Sequence, residues 1–280
     1  MEEIMIKFYA EIGSNFVVNG QKSFDRAIDL IDVASSIGCT GVKFQYFHAD
    51  TLWDKYWLQM KVEVAKNELP FKWIKRLSKY ARSLNLEFGL SIFDIESVNE
   101  VKKYVDYLKV SSFEIDWGLL LNTCFDSGKP VMLSAGLITV PELLTRLPEY
   151  SETPIHILHC NSNYPAQPED CNLAVIDKFK KYRLVNTYGI GWSDHTANPG
   201  VIWMAIAQGA EIIEFHLDLG DKRGAESKVG HCWLAKNISY IIDQVRIGES
   251  AIGITDEQII RSRQYQNRKL MTDPLTGRRG

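Results

Sequence analysis

The chain has 280 residues, a formal net charge of −3 and 45% hydrophobic residues, enough to bury one substantial core. That balance supplies no global attraction to nucleic acid or a membrane surface, and no apolar run approaches the roughly 18 residues of a membrane span. Five cysteines (Cys39, Cys124, Cys160, Cys171 and Cys232) form an odd set without CxxC spacing; with no signal peptide ahead of them they read as reduced thiols of a cytoplasmic protein.

In chain order, residues 4–10 (IMIKFYA) read as a strand. Residues 23–38 follow as a helix, with Ser23 as a partial N-cap and Gly38 as its stop. Residues 41–45 form a second strand. The polar and aromatic stretch 46–69 reads as an elongated loop over the rim, with Trp53 and Trp57 as packing or loop anchors, like Trp117 further on. Pro70 opens a helix to about Leu84. Strands at 86–92, 107–112 and 129–135 alternate with helices at 94–104 and 117–127 and one carrying Pro141 in its first turn. Strands at 154–160, 188–193 and 210–216 alternate with helices from about Asn172, at 199–208 and at 234–252.

Eight strands, each followed by a helical segment, predict parallel strands with crossover helices. At this length a closed (β/α)8 barrel, a TIM barrel, is favoured over an open doubly wound sheet. No G-x-G-x-x-G follows the first strand, which weakens a dinucleotide-binding alternative. The barrel domain is expected over 1–255, and the polar, basic tail 256–280 as a C-terminal extension.

Polar residues gather where strands end: Glu11, Lys43 with Gln45, Ser91, Lys109 with Ser112 and Glu114, Ser134, His159 with Ser162 and Tyr164, Ser193 with His195, and Glu214 with His216. In a parallel barrel all these ends face one rim, where barrel active sites are built. A single serine there is ordinary turn chemistry. A lysine inside a short strand costs energy without an anion, so Lys43 and Lys109, with Ser91, Ser112, Ser134 and Ser193, outline a phosphate or carboxylate pocket. Glu11 and Glu114 either pair with the lysines as a structural network or position one of them. His195 and His216 end consecutive strands and are neighbours in a barrel. From spacing they suit either metal ligands (Mn²⁺, Fe²⁺, Co²⁺ or Zn²⁺) or satisfied strand-end histidines, with Asp194 or Glu214 available to orient them. His159 fits a structural or hydrogen-bonding role, and His48, His156 and His231 join no constellation.

Eight segments in order, AEIGSN, GVKFQYF, LSIFDIESV, LKVSSFEI, GKPVMLSAG, LHCNSNYPA, GWSDHT and IIEFH, resemble those of sialic acid synthases. The resemblance spans about residues 6–255 and implies a (β/α)8 barrel that condenses phosphoenolpyruvate with an open-chain N-acylated hexosamine such as N-acetylmannosamine. It implies a divalent metal, usually Mn²⁺ with Mg²⁺ or Co²⁺ as alternatives, on His195 and His216. The phosphoenolpyruvate pocket carries over to Lys43, Ser91, Lys109, Ser112, Ser134 and Ser193, with Ser162 adjoining. Glu11, Gln45 and Tyr164 resemble residues near the reacting carbon and the sugar, and Glu114 the acidic position after the fourth strand; Glu11 or Glu114 would handle the proton of the attacking water. Glu226, in RGAESK, stands where the family has an acid in a Pro-Gly-Pro-Asp-like segment, and Ser91 where a threonine is usual. A homodimer is implied as well.

The antifreeze-like C-terminal domain of many members, which contributes an arginine to sugar binding, is not expected here, leaving Arg268, Arg278 and Arg279 of the tail to substitute. Two other readings stay open: another phosphoenolpyruvate-dependent synthase acting on a phosphorylated aldose, which would favour extra arginines at the rim, and a non-catalytic barrel that binds sugar.

Overall fold

The computed structural model describes residues 5–52, 58–148, 152–182 and 187–252. Eight strands form the barrel: β1 (Lys7–Gly13), β2 (Gly41–Tyr46), β3 (Glu87–Ile92), β4 (Tyr107–Val110), β5 (Val131–Ser134), β6 (Ile155–Cys160), β7 (Thr187–Asp194) and β8 (Ile212–Asp218). Each pairs in parallel with the next, and β1 pairs with β8, which closes the sheet. The expected (β/α)8 barrel is therefore the fold. A two-residue strand, β9 (Trp233–Leu234), adds in parallel to the end of β8 through Leu217 and Asp218. No helix among the described residues is long and apolar enough to cross a membrane.

Local chemistry explains the elements. Ser23 caps the helix Phe24–Ser36 by accepting from the Arg26 N–H, and Ala27, Leu30, Ile31 and Ala34 form its buried stripe. Thr139 and Glu142 make a reciprocal capping box on Val140–Arg146, with Pro141 in the first turn. The strands are buried on both faces, as a barrel under helices requires, so they read as apolar runs rather than alternating ones. Inside the barrel, Tyr9, Tyr107, Met132, Leu158 and Ile212 pack into an apolar floor.

Two local expectations change. The first strand runs from Lys7 through Glu11 to Gly13, three residues past its predicted end. Glu11 lies level with Lys43 on β2 and His216 on β8, and the facing ammonium lets a carboxylate occupy a strand interior. The stretch 46–69 is not simply a loop: it holds the short helices Ala49–Leu52 and Leu58–Ala65. Trp53 and Trp57 lie outside the described residues.

The chain divides into two compact units, Met1–Ile242, which carries the barrel, and Asp243–Gly280. The described part of the second, residues 243–252, is helical and carries an Arg246–Glu249 ion pair at 2.8 Å. The extension expected over 256–280, with Arg268, Arg278 and Arg279, lies outside the described residues.

Close strand packing leaves no room at Gly191 on β7, where an added Cβ would lie 2.2 Å from the Ile212 carbonyl oxygen. Because that oxygen belongs to the backbone of β8, it cannot rotate away. Gly191→Ala is expected to cost about 1–3 kcal/mol, read as a lower urea midpoint with an unchanged m-value.

Candidate active site

A cavity of about 330 Å³ at the C-terminal mouth of the barrel is lined by residues from nearly every strand end. Glu11, Lys43, Gln45, Ser91, Lys109, Ser112, Ser134, Tyr164, Ser193, His195, His216 and Glu226 all line it. Two of the sequence candidates do not. Ser162 meets the site through its hydroxyl, 2.7 Å from the Ser112 hydroxyl. Glu114 accepts from the Ser111 hydroxyl, and burial raises its pKa. His159 turns to the Cys171 carbonyl at 2.8 Å and packs on Trp192, a structural role.

One side of the cavity is a buried charge cluster. Lys43 pairs with Glu11, donates to the Ser91 hydroxyl at 2.7 Å and lies 3.8 Å from Glu214. Lys109 donates to Glu214 Oε1 at 2.7 Å, and the Ser193 hydroxyl donates to the same oxygen at 2.8 Å. Glu11 also accepts from the Gly13 N–H at 2.5 Å. Burial pushes Lys43 down to about 8, with Glu214 pulling the other way. Burial alone would raise Glu214, but Lys109 and Lys43 outweigh it and hold this carboxyl well below the usual range.

The other side is an imidazole cluster. His195 Nδ1 faces the Asn161 carbonyl oxygen at 2.6 Å, and His216 Nδ1 faces Glu226 Oε2 at 2.7 Å. Both partners are acceptors, so each Nδ1 carries the proton and each Nε2 keeps its lone pair. Among the described residues neither Nε2 has a hydrogen-bond partner. Burial lowers His195 to about 3, and His216 is lowered by burial against the pull of Glu226. Tyr164 stacks over His195, ring centroids 4.1 Å apart. Two neutral imidazoles 5.3 Å apart, each oriented from behind by an acceptor, are a donor set that fits a divalent cation.

The orienting groups differ from the sequence expectation. Asp194 accepts from the indoles of Trp192 and Trp233 at 3.1 and 2.9 Å, and Glu214 belongs to the lysines. Glu226 orients His216 instead, and its other oxygen accepts from the Ser14 N–H and hydroxyl at 2.7 and 3.0 Å. Gly13, at φ +52°, leaves the space this needs: a Cβ there would lie 2.0 Å from Glu226 Oε1. The loop carrying Glu226 is tied down by Arg26 on Asp218 at 2.6 Å and on Asp221 at 2.8 Å, and by Asn15, which accepts from the Glu226 N–H at 2.9 Å.

The lining also contains residues outside the sequence candidates, among them Phe93, Phe113, Cys160, Val229 and His231. His231 had no sequence signal. It follows the end of β8 by thirteen residues and arrives only because β9 pairs back along the end of β8.

Fold and cavity define a (β/α)8 barrel with one mouth where two lysines, a ring of hydroxyls and paired imidazoles meet. A family model described as the NeuB family matches residues 30–257. The chain is 31% identical over 226 residues to the N,N'-diacetyllegionaminic acid synthase of Legionella pneumophila, covering 72% of this chain and 62% of that protein. It is 27% identical over 281 residues to the N-acetylneuraminate-9-phosphate synthase of Mus musculus, covering 93% and 75%. The crystal structure of a sialic acid synthetase from Leptospira borgpetersenii in complex with citrate superposes with a TM-score of 0.82 at 26% identity, covering 94% of this chain and 91% of that one. An uncharacterised Methanocaldococcus jannaschii protein is 27% identical, and the match spans 66% of its length. The chain thus spans less than two thirds of the first of these relatives, the Legionella enzyme, and of the Methanocaldococcus protein. It belongs to the NeuB family.

The Lys43 shift has two signed consequences. Between about pH 8 and the ordinary lysine value the unfolded chain binds the extra proton, so charged Lys43 costs stability below pH 8 and the cost is relieved as pH rises. Affinity for an anion runs the opposite way. A simple phosphate monoester, already dianionic above about pH 7, should bind more weakly as pH rises through about 8. Calorimetric titrations at successive pH values check this; a flat profile to pH 9.5 contradicts it.

Proposed function

We propose that this chain catalyses the metal-dependent condensation of phosphoenolpyruvate with an N-acylated hexosamine, giving a sialic acid-type nonulosonic acid and phosphate. The observation that carries the reading is convergence: Lys43 and Lys109 from β2 and β4, and His195 and His216 from the ends of β7 and β8, line one cavity. Buried cations facing buried imidazoles suit an anionic substrate on one side and a polarised aldehyde on the other. The family membership and the names of the relatives support the substrate class.

In this reading the lysines and the hydroxyls of Ser91, Ser112, Ser134 and Ser193 hold the phosphate and carboxylate, offsetting their charge from binding to release. His195 and His216 would hold the cation, which when bound supplies Lewis acidity to the aldehyde oxygen. C3 of phosphoenolpyruvate forms the new bond to the aldehyde carbon, and positive charge develops at C2. Water adds to C2, and the resulting tetrahedral carbon expels phosphate with cleavage of its C–O bond. That Glu11 lines the cavity beside Lys43, while Glu114 stands outside the lining, supports Glu11 as the carboxylate that takes the water's proton. Gln45 and Tyr164 face the sugar side. Glu226 acts through His216, which it holds from behind through Oε2.

Phosphate release, measured with a panel of N-acylhexosamines with and without Mn²⁺, tests the proposal. Release is expected only with an acceptor sugar, to rise with metal, and in ¹⁸O-water to leave the label at C2 and not in phosphate. A requirement for a phosphorylated aldose would favour the second synthase reading, and sugar binding with no turnover the non-catalytic one. His195→Ala and His216→Ala should each lower metal-stimulated release at least about 100-fold with unchanged far-ultraviolet circular dichroism. Full activity in either variant contradicts the Lewis-acid role.

A further inference from the structure

The imidazole cluster is wider than the pair that ends β7 and β8. His216, Glu226, His231 and Cys232 each place a ligand atom within 4.8 Å of the others. His231 is 3% exposed and lines the same cavity as His195 and His216. Its Nε2 lies 3.7 Å from Glu226 Oε2, and its Nδ1 is buried without a hydrogen-bond partner. An orphaned nitrogen in a buried, otherwise satisfied polar cluster calls for a missing partner.

Ring separations point to what that partner is. An ion about 2.1 Å from an imidazole nitrogen sits about 3.2 Å from the ring centre, so two rings on one ion have centres about 4.6 Å apart at a right angle and at most about 6.5 Å apart. Here the centroids are 4.5 Å apart for His216 and His231, 5.3 Å for His195 and His216, and 6.4 Å for His195 and His231. All three separations fall within that range, and His216 with His231, near the right-angle value, shares the close group of ligand atoms, which His195 adjoins from outside. The fold invests in this placement: β9 brings the chain back alongside β8, and the Trp233 indole, two residues beyond His231, donates to Asp194 at 2.9 Å.

We propose that His231 is a third imidazole ligand of the divalent metal centre, beside His195 and His216. The proposal rests on the metal-dependent reading above and extends it to a residue outside the barrel strands. A three-imidazole site favours Fe²⁺, Co²⁺ or Zn²⁺ and accepts Mn²⁺, whereas Mg²⁺ is held chiefly by oxygen ligands.

The test counts nitrogens rather than turnover. Mn²⁺ added to the metal-free full-length protein is followed by calorimetry and by pulsed electron paramagnetic resonance, which resolves couplings to imidazole nitrogen. Three coordinated imidazoles are expected in the wild type and two in His231→Gln, with metal affinity falling at least tenfold and circular dichroism unchanged. Two imidazoles in the wild type, or the same count before and after substitution, overturns the proposal and leaves His231 as a neighbour that positions Glu226. The wild-type count stands even if the variant fails to fold. His195→Ala separates this from the parent reading. If that variant loses an imidazole and His231→Gln does not, only the third ligand falls. If the wild type takes up no Mn²⁺, the third ligand and the metal-dependent reading fall together. If three imidazoles bind Mn²⁺ but no sugar releases phosphate, the ligand stands and the proposed reaction falls.

Discussion

Two lysines sealed inside a barrel set the terms for everything around them. Lys43 and Lys109 are each 2% exposed, and an unpaired ammonium at such depth would give up its proton rather than stay charged. Glu11 and Glu214 pair with them, Ser91 accepts from Lys43, and Ser193 donates to Glu214. The arrangement has a chemical use only if an anion can take over those contacts. A cavity opens directly above it, and Glu214 keeps one oxygen without a hydrogen-bond partner. Below it lies the buried cluster of Tyr9, Tyr107, Met132, Leu158 and Ile212. The cluster is thus held at low dielectric on one side and open on the other, where a preorganised site strengthens each electrostatic contact.

Geometry links the imidazole side to the lysine side. Glu11 is level with His216 across the β1–β8 seam and with Lys43 across β1–β2, so barrel closure fixes the spacing between the two halves of the site. The loop after β8 supplies the rest. Arg26, itself buried, bonds the Asn15 carbonyl at 2.7 Å and both Asp218 and Asp221, tying the first helix, the loop after β1 and the loop after β8 into one unit. That unit carries Glu226 against His216. A buried bidentate network of this kind is costly to break, which gives a physical reason for an arginine rather than a lysine at its centre.

The fold was largely legible because its signals are local. Eight apolar β-rich runs, each followed by an amphipathic segment, reappear as eight parallel strands, and Ser23, Pro70 and Pro141 mark helix starts within a residue or two. The positional rule for barrels then carried most of the candidate residues to the cavity lining. It failed where a side chain's partner is distant in sequence. Asp194 was a reasonable companion for its neighbour His195, yet two indoles claim it. Glu214 shares a strand face with His216, yet the lysines claim it. Charge pairing in a low-dielectric interior outranks proximity along the chain.

By itself the sequence determined the fold class, the rim on which the polar residues gather and the family, because periodicity, turn residues and ordered motifs are written in consecutive positions. Tertiary structure alone decided which carboxylate serves which cation or imidazole, that Glu11 rather than Glu114 lines the cavity, and that His231 belongs to the site. Those outcomes follow from barrel closure and from a two-residue strand returning beside β8, contacts between residues up to about two hundred positions apart that no local pattern encodes.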